Sequence, residues 1–177
     1  MSLFTRRGAH AGCLIAITLG CGQSYGQIAK DASKFLGNIT TSNAVRAGYE
    51  TYWNQITPEN ETKWGSVEGG RDQMNWAGAD RVATYAKQNN IPWKFHTLVW
   101  GSQYPGYVQN QPTQGWLMQL SVDDRKAEVV EWFDAVKAKY PDLPMIDVVN
   151  EAVTGHAPAP YKDALGGDGA TGHDWVI

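Results

Sequence analysis

The stretch SVDDRKAEVVEWFDAVKAKYPDLPMIDVVNEA, residues 121–152, decides the fold class. The apolar residues that recur in it at helical spacing are Val129, Trp132, Phe133, Val136 and Tyr140. Ser121 followed by Asp124 resembles a capping box and predicts the helix start, and Pro141 stops the helix. Met145–Val149 is then a short apolar run typical of a buried strand. The stretch therefore predicts a helix, a turn and a strand that ends directly in polar residues.

The same alternation of strand and helix runs upstream. The further predicted strands are Phe35–Ile39, Trp53–Thr57 and Trp93–Trp100. One helix is predicted from Ala44 to about Tyr52, with N-cap oxygens from Thr41-Ser42-Asn43, and a second along the apolar stripe Ala79–Ala86. Repeated strand–helix units favour a parallel sheet, and four of them make half of an eight-unit barrel, which needs about 250 residues. An open, doubly wound sheet of four or five strands is the alternative, although the sequence lacks the phosphate loops GxGxxG and GxxxxGK[ST].

Composition argues against several kinds of protein. The 177 residues carry 15 Lys+Arg against 18 Asp+Glu, so no basic surface points to a nucleic-acid partner. No apolar run reaches the roughly 18 residues of a membrane span, so we expect no membrane partner unless Cys21 is lipidated. Eight Trp and eight Tyr suit a large core or a surface that stacks on sugars. With no HExxH motif and no calcium-type carboxylate cage, neither a metal nor another cofactor is expected.

Residues 1–26 are predicted to be a secretory signal peptide. A positive start, the short apolar segment Ala11–Leu19 and small residues before Gln27 support this prediction, and they imply an extracellular or periplasmic location. A lipoprotein signal at Cys21 is the less favoured alternative. Since both cysteines, Cys13 and Cys21, fall in this segment, no cysteine nucleophile is expected in residues 27–177.

Polar residues cluster directly after three predicted strands. The clusters are Pro58–Trp64, His96–Gln103 and Asn150–Ala152. Because the carboxyl ends of strands form the active-site face of a barrel, the clusters are expected to converge on one cleft. Glu151 is the catalytic candidate because an apolar strand delivers it, with a solvated surface glutamate as the equal alternative. Strand alternation places His96, Leu98 and Trp100 on one face.

Other polar and aromatic residues have simpler interpretations. Taken alone, His96 is more often a hydrogen-bonded core histidine than a catalytic one, and Lys63 is more often a surface charge. Trp64 and Trp76 are expected in the core.

Four segments together resemble a known family. They are Ile56–Trp64 (ITPENETKW), Met74–Asp80 (MNWAGAD), His96–Pro105 (HTLVWGSQYP) and Asp147–Ala152 (DVVNEA). In this order they resemble the segments TPENEMKW, FNFxxAD, HTLVWHSQxP and DVVNEA of the xylanases of glycoside hydrolase family ten. The resemblance runs from about Phe35 to the last residue. It implies a (β/α)8 TIM barrel of which residues 27–177 supply about the first four units, in a monomer that cleaves xylan or xylo-oligosaccharides with retention.

The resemblance also implies residue roles. Glu151 would be the general acid/base, and Asn150 would bind the sugar hydroxyl next to the cleaved bond. The positions that match sugar subsites on the non-reducing side of that bond are Glu59, Asn60, Lys63, His96, Trp100 and Gln103. Retaining hydrolysis needs two carboxyl groups about 5–5.5 Å apart. The family's second one lies in a TELD-like segment that this sequence lacks, so the chain is expected to be an N-terminal part of the barrel and inactive alone.

The match has departures, and other functions stay open. Lys94-Phe95 replaces a usual Arg-Gly, Gly101 a histidine and Ile146 a tryptophan, so altered subsite detail is expected with the fold kept. Phe95 is expected to face the helices and not the cleft. The alternatives are another retaining β-1,4-glycanase of the same barrel type, acting on glucan or mannan, and a non-catalytic polysaccharide-binding module, which the Trp and Tyr content supports.

Overall fold

A computed structural model describes residues 27–111 and 114–152. The predicted leader and residues 153–177 lie outside the described residues. The strands are β1 (Gly37–Ile39), β2 (Gln55–Thr57), β3 (Glu68–Gly70), β4 (Gln73–Met74), β5 (Lys94–Trp100) and β6 (Met145–Asn150). The helices are α1 (Tyr49–Tyr52), α2 (Trp64–Val67), α3 (Ala77–Gln88), α4 (Val122–Lys139) and a 3-10 helix, Trp116–Gln119.

Four parallel strands lie side by side in chain order. β1 pairs with β2, with Asn38 opposite Ile56, and β5 pairs with β6, with Phe95 opposite Ile146. A parallel bridge between Ile56 and Trp93 joins the two pairs. The order β1-β2-β5-β6 has no reversal of the kind that marks a doubly wound sheet, and it is the order of strands along a barrel wall. Over the described residues the wall is an arc and does not close.

The outer face of the arc is covered by helices. Trp132 of α4 is fully buried, and its ring stacks on Trp64 and Trp76 with centroid distances of 5.8 and 5.6 Å. Its Nε1 donates to the carbonyl oxygen of Leu98 at 3.0 Å, which ties α4 to β5. The ring centroid of Phe95 lies 6.0 Å from that of Trp132. The predictions that Trp64 and Trp76 belong to the core and that Phe95 faces the helices are therefore confirmed.

The start predicted for the first helix is wrong. Ser42 and Asn43 have φ angles of 53° and 58°, and Thr41 and Ala44 exchange backbone hydrogen bonds of 2.9 and 3.1 Å. Two successive residues with positive φ form a tight turn. They cannot begin a helix, because helical residues have negative φ. Helix α1 begins only at Tyr49.

The longer helices match the predictions closely. Ser121 is the N-cap of α4, and its Oγ accepts a hydrogen bond of 3.1 Å from the backbone N–H of Asp124, as the capping-box pattern predicts. β6 follows α4 and extends to Asn150, so the polar residues do stand at the strand's carboxyl end. Among the described residues, none of the helices has the length and apolar character needed to cross a membrane.

Candidate active site

An open cavity of about 710 Å³ lies on the inner face of the arc. Strands β1, β2, β5 and β6 and the loop after β2 supply its charged and amide side chains, which are Asn38, Gln55, Glu59, Lys63, Lys94, His96, Asp147 and Asn150. We call this space the main cleft. Four of the residues predicted for the site, Glu59, Lys63, His96 and Asn150, therefore do come together although 91 positions separate the first from the last.

Glu151 stands next to the main cleft and is held by an indole. Trp100 Nε1 donates to Glu151 Oε2 at 2.7 Å. Lys63 Nζ lies 4.6 Å from the centroid of the Trp100 ring, within the range of a cation–π contact, and donates to Asn60 Oδ1 at 2.8 Å. Glu151, Trp100, Lys63 and Asn60 thus form one continuous line of contacts along the rim.

Lys63 is a buried cation, not the surface charge that its residue type suggests. Only 7% of the residue is exposed. Burial lowers the pKa of its ammonium below the ordinary value, and the carboxylates of Glu59, Glu151 and Glu61 oppose that shift. The ammonium therefore faces a carboxylate-rich rim and brings hydrogen-bond donors to it.

His96 is fixed by an aspartate in the middle of β6. His96 Nδ1 and Lys94 Nζ each lie 2.9 Å from Asp147 Oδ2. Burial raises the pKa of Asp147, but the hydrogen bonds and positive charge of His96 and Lys94 outweigh it and hold that pKa below its ordinary value. Because Nδ1 is committed to Asp147, the imidazole has Nε2 left for a ligand in the cleft.

Sequence reasoning missed the roles of Lys94 and Asp147. In the sequence, Asp147 belongs to the DVVNEA motif and Lys94 is a departure from a family motif, and neither feature predicts a role for the residue. A charged residue inside the otherwise apolar strand Met145–Val149 was the available signal, since a charge there needs a partner.

The strict alternation predicted for β5 does not hold. His96 pairs with Asp147 and Val99 with Val149, so three steps along β5 match two along β6. One extra residue between them is a β-bulge, and it shifts the side-chain phase between His96 and Trp100. The His96–Thr97 peptide bond within it is cis.

Gln103 lies beside a second cavity and not in the main cleft. This cavity, about 490 Å³ in volume, is lined by Asn43, Asn60, Glu61, Ser66, Asn75, Ala77, Gly78, Arg81 and Gln103. We call it the side cavity. Gln103 has a φ of 47°, and its carbonyl oxygen accepts from Gly65 N at 2.9 Å. Asn60 borders the side cavity and bonds Lys63 of the main cleft, so the two spaces adjoin.

One group of carboxylates has the spacing of a metal site. Oxygens of Glu68, Asp72 and Glu128 lie within 4.8 Å of one another. However, Glu68 accepts hydrogen bonds of 2.7 Å from Trp64 Nε1 and 2.9 Å from the backbone N–H of Asp72. Arg71 adds an ion pair of 2.5 Å to Glu128. These bonds describe a structural link between the β3–β4 hairpin and α4.

Comparison with known proteins identifies the family of this chain. Residues 20–177 match the model of Glycosyl hydrolase family 10. Endo-1,4-beta-xylanase B of Cellvibrio japonicus is 53% identical over 145 residues, which are 82% of this chain and 22% of that protein. Endo-1,4-beta-xylanase 3 of Hypocrea jecorina is 46% identical over 56 residues, which are 32% of this chain and 16% of that protein.

Solved structures agree on the fold. A family 10 endo-beta-1,4-xylanase from Gloeophyllum trabeum matches with a TM-score of 0.67 and 23% identity, over 86% of this chain and 48% of that one. Xylanase 10B from Thermotoga petrophila, solved with xylobiose, matches with a TM-score of 0.60 and 24% identity, over 75% and 41%. The chain thus spans half or less of the length of these relatives, and the family's fold is a (β/α)8 barrel. The match over residues 20–177 makes this chain a member of glycosyl hydrolase family 10, and the order of its parallel strands agrees with that family's barrel.

Proposed function

We propose that the intact protein is a secreted, monomeric endo-1,4-beta-xylanase that cleaves xylan with retention, and that Glu151 is its general acid/base. The observation that carries the proposal is the line of contacts Glu151–Trp100–Lys63–Asn60 beside a cleft that also holds His96 and Asn150. Membership of the family and the name endo-1,4-beta-xylanase, borne by the relatives that match, support the substrate.

The proposed chemistry begins with a proton. Glu151, in its acid form, gives its proton to the glycosidic oxygen as the bond to the leaving sugar breaks. A second carboxylate attacks the anomeric carbon and forms a glycosyl-enzyme intermediate. Glu151, now a carboxylate, then takes a proton from the water that hydrolyses this intermediate. The Trp100 indole N–H orients one oxygen of Glu151 through both steps.

The remaining site residues bind the chain of sugars. Asn150, directly before Glu151, is assigned to the sugar hydroxyl next to the cleaved bond. Lys63 and His96 offer a donor and an imidazole nitrogen to hydroxyl groups, and Glu59 offers an acceptor. The Trp100 ring provides a face for stacking, while Asn60 and Gln103 line the wall beyond it.

The nucleophile is proposed to come from outside residues 1–177, because no TELD-like segment occurs among them. Residues 27–177 then supply about the first four of eight units, residues 1–26 serve as the signal peptide, and the 177-residue chain is inactive alone. The experiment compares reducing-sugar release from xylan by this chain, alone and mixed with the segment of Cellvibrio japonicus xylanase B that follows its matched region. We expect no release from the chain alone and release from the mixture.

Substitutions in the mixture test the assignment. Glu151→Gln should lower the rate at least 100-fold, since it removes the transferable proton, whereas Glu131→Gln on the exposed side of α4 should leave it unchanged. Release by the chain alone would overturn the proposed inactivity. An unchanged rate with Glu151→Gln would overturn the acid/base assignment, and a faster rate on carboxymethylcellulose or mannan than on xylan would overturn the substrate.

A further inference from the structure

Asp147 contacts two basic side chains of β5 through the same oxygen atom. Lys94 Nζ and His96 Nδ1 each lie 2.9 Å from Asp147 Oδ2, so these two nitrogens are at most twice that distance, 5.8 Å, apart. All three side chains are partly buried on the inner face of the arc. Charges so close together in a partly buried place influence one another strongly, because the protein screens them less than bulk water does.

Hydroxyl groups fix the backbone around this group of side chains. Thr62 Oγ1 accepts a hydrogen bond of 3.2 Å from the backbone N–H of His96 and donates one of 2.5 Å to the carbonyl oxygen of the same residue. Thr97 Oγ1 donates to the carbonyl oxygen of Asp147 at 2.7 Å. These bonds involve backbone atoms and uncharged side chains, so they hold His96 and Asp147 in place whatever the charge at position 94.

Asp147 and Lys94 have opposite effects on the charge of the His96 ring. The carboxylate of Asp147 favours the imidazolium form, whereas the ammonium of Lys94, a like charge within about 6 Å, disfavours it. Lys94 already balances the charge of Asp147, so a proton added to His96 would leave the group with a net positive charge. Glu59 and Lys63, the other charged side chains of the main cleft, form no hydrogen bond or ion pair with His96 within the described residues.

We propose that Lys94 is a positioning residue that acts on His96 through Asp147. Lys94 neutralises the shared carboxylate oxygen, and His96 therefore stays a neutral imidazole with its proton on Nδ1 and a bare Nε2 that accepts hydrogen bonds. Since the ammonium of Lys63 can only donate, this acceptor lets the main cleft both donate to and accept from the hydroxyl groups of a bound sugar chain. The use of Nε2 in binding rests on the proposed function, whereas the protonation state of His96 does not.

Nitrogen NMR of the 177-residue chain, prepared with isotope-labelled histidine, tests the protonation state. A neutral imidazole shows one bare and one protonated nitrogen at widely separated chemical shifts, whereas an imidazolium shows two protonated nitrogens at similar shifts. The His96 signals are those lost in His96→Gln. At pH 7.5 we expect a protonated Nδ1 and a bare Nε2 in the parent chain, and about a threefold larger imidazolium fraction in Lys94→Met, where Asp147 acts unopposed.

Two further lysine variants serve as controls. Lys94→Arg keeps the positive charge and should preserve the signals of the parent chain. Lys139→Met is the matched control, because Lys139 Nζ also lies 2.9 Å from an aspartate oxygen, Asp80 Oδ2, and Lys139 and Lys94 are exposed to the same degree, 36% and 35%. Since Lys139 does not line the main cleft, its loss should leave the His96 signals unchanged.

Three results of the NMR experiment would overturn the inference. They are an imidazolium at His96 in the parent chain, a bare Nδ1 there, and His96 signals that Lys94→Met leaves unchanged. If Lys94→Met does not fold, Lys94→Gln takes its place, because the amide keeps a donor for Asp147 without the charge.

Kinetics test the use of Nε2 in binding. In the mixture with the Cellvibrio japonicus segment, Lys94→Met should raise KM for xylan about fivefold, the value of one net hydrogen bond, and change kcat less than about twofold, while Lys94→Arg should keep the parent KM. A lysine that only stabilised the fold would leave KM and the His96 signals unchanged. An unchanged KM with altered His96 signals overturns the role in binding. If the parent mixture releases no sugar from xylan, the proposed function fails, and the NMR result decides the role of Lys94 by itself.

Discussion

Two side chains of β5 contact one carboxylate oxygen of Asp147 in the main cleft. Lys94 and His96 each lie 2.9 Å from Asp147 Oδ2 and stabilise the carboxylate form of Asp147. The folded chain therefore holds this proton more weakly than the unfolded chain does. Stability from this group is fully present above the ordinary pKa of 3.8 and is lost as the pH falls through the lower pKa of the folded state.

Asp147→Asn should therefore change the acid side of the stability profile. Above about pH 5 the variant should unfold at lower urea than the parent chain, because it has lost the ion pair with Lys94. As the pH falls from 3.8 through the lower pKa of the folded state, the difference should shrink, because Asp147 then becomes protonated in the folded parent chain too. Urea midpoints from pH 3 to pH 7, followed by tryptophan fluorescence, measure this. A difference that stays constant over the whole range would contradict the account.

Trp100 combines two roles that substitution can separate. Trp100→Phe keeps a ring for Lys63 and for sugar stacking but removes the N–H that donates to Glu151. In the complemented enzyme we expect kcat on xylan to fall about 10- to 100-fold, the value of a hydrogen bond to a charged group, while KM changes less than threefold. Trp116→Phe is the control, because Trp116 Nε1 is buried and has no described partner. A large rise in KM with kcat unchanged would assign Trp100 to binding alone.

Among the helices and strands, the longer elements were the easier ones to predict from the sequence. Helix α4 was predictable because its eighteen residues carry an apolar stripe at helical spacing and its start has a capping residue. Strand β6 was predictable because it is a short apolar run directly after that helix. The turn at Thr41–Ala44 was misread because Ser, Thr and Asn are favoured both at N-caps and in tight turns. The four residues of α2 carry no periodic signal, and the burial of Trp64 against α4 decides their conformation.

Parts of the candidate site were likewise predictable from the sequence and parts were not. The polar clusters at the carboxyl ends of β2, β5 and β6 were predictable from their position after apolar runs, and Glu59, Lys63, His96 and Asn150 from these clusters do meet in the main cleft. The β-bulge after His96 was not predictable, because the strand ends in three successive apolar residues, Leu98–Trp100, which do not reveal the face to which each side chain points. The side cavity could not be predicted from the sequence either, since Ser66, Asn75 and Arg81 belong to separate segments that only packing brings together.

The stack Trp64–Trp132–Trp76 holds α4 against the arc. Trp132→Ala removes a fully buried ring, two stacking contacts and the hydrogen bond to Leu98. We expect the free energy of unfolding to fall by about 3–5 kcal/mol. Val130→Ala on the same helix, where the side chain is 55% exposed, should change it by less than about 0.5 kcal/mol. Urea unfolding measures both, and equal effects would show that the stack does not anchor the helix.

At the scale of the whole molecule, the outer face of β6 differs from that of its neighbour. Phe95 on β5 is fully covered, whereas Ile146 and Val148 on β6 are 38% and 42% exposed. Within the described residues, helix coverage of the arc therefore ends at β5. Exposed adjacent apolar side chains on a strand favour binding of apolar dyes and partners.

The 177-residue chain is therefore expected to bind the dye anilinonaphthalene sulfonate. Replacing Ile146 and Val148 together by Thr, which keeps the branched shape suited to a strand, should reduce the dye fluorescence at least twofold. Val130→Thr on α4 is the matched control and should leave the fluorescence unchanged. Val130 is exposed, but it lies outside the apolar face of β6. Equal fluorescence from all three proteins would show that the β6 face does not bind the dye.

The order β1-β2-β5-β6 has a consequence for synthesis on the ribosome. Each strand of the arc pairs with the arc strand translated before it, since the β3–β4 hairpin forms a separate sheet, so each new arc strand finds its docking edge already in place. Loop closure is then short at each step, and assembly can proceed from the amino terminus without waiting for distant sequence. In a closed barrel, only the last seam, between the first strand and the final one, would have to join two ends that translation separates by the whole domain.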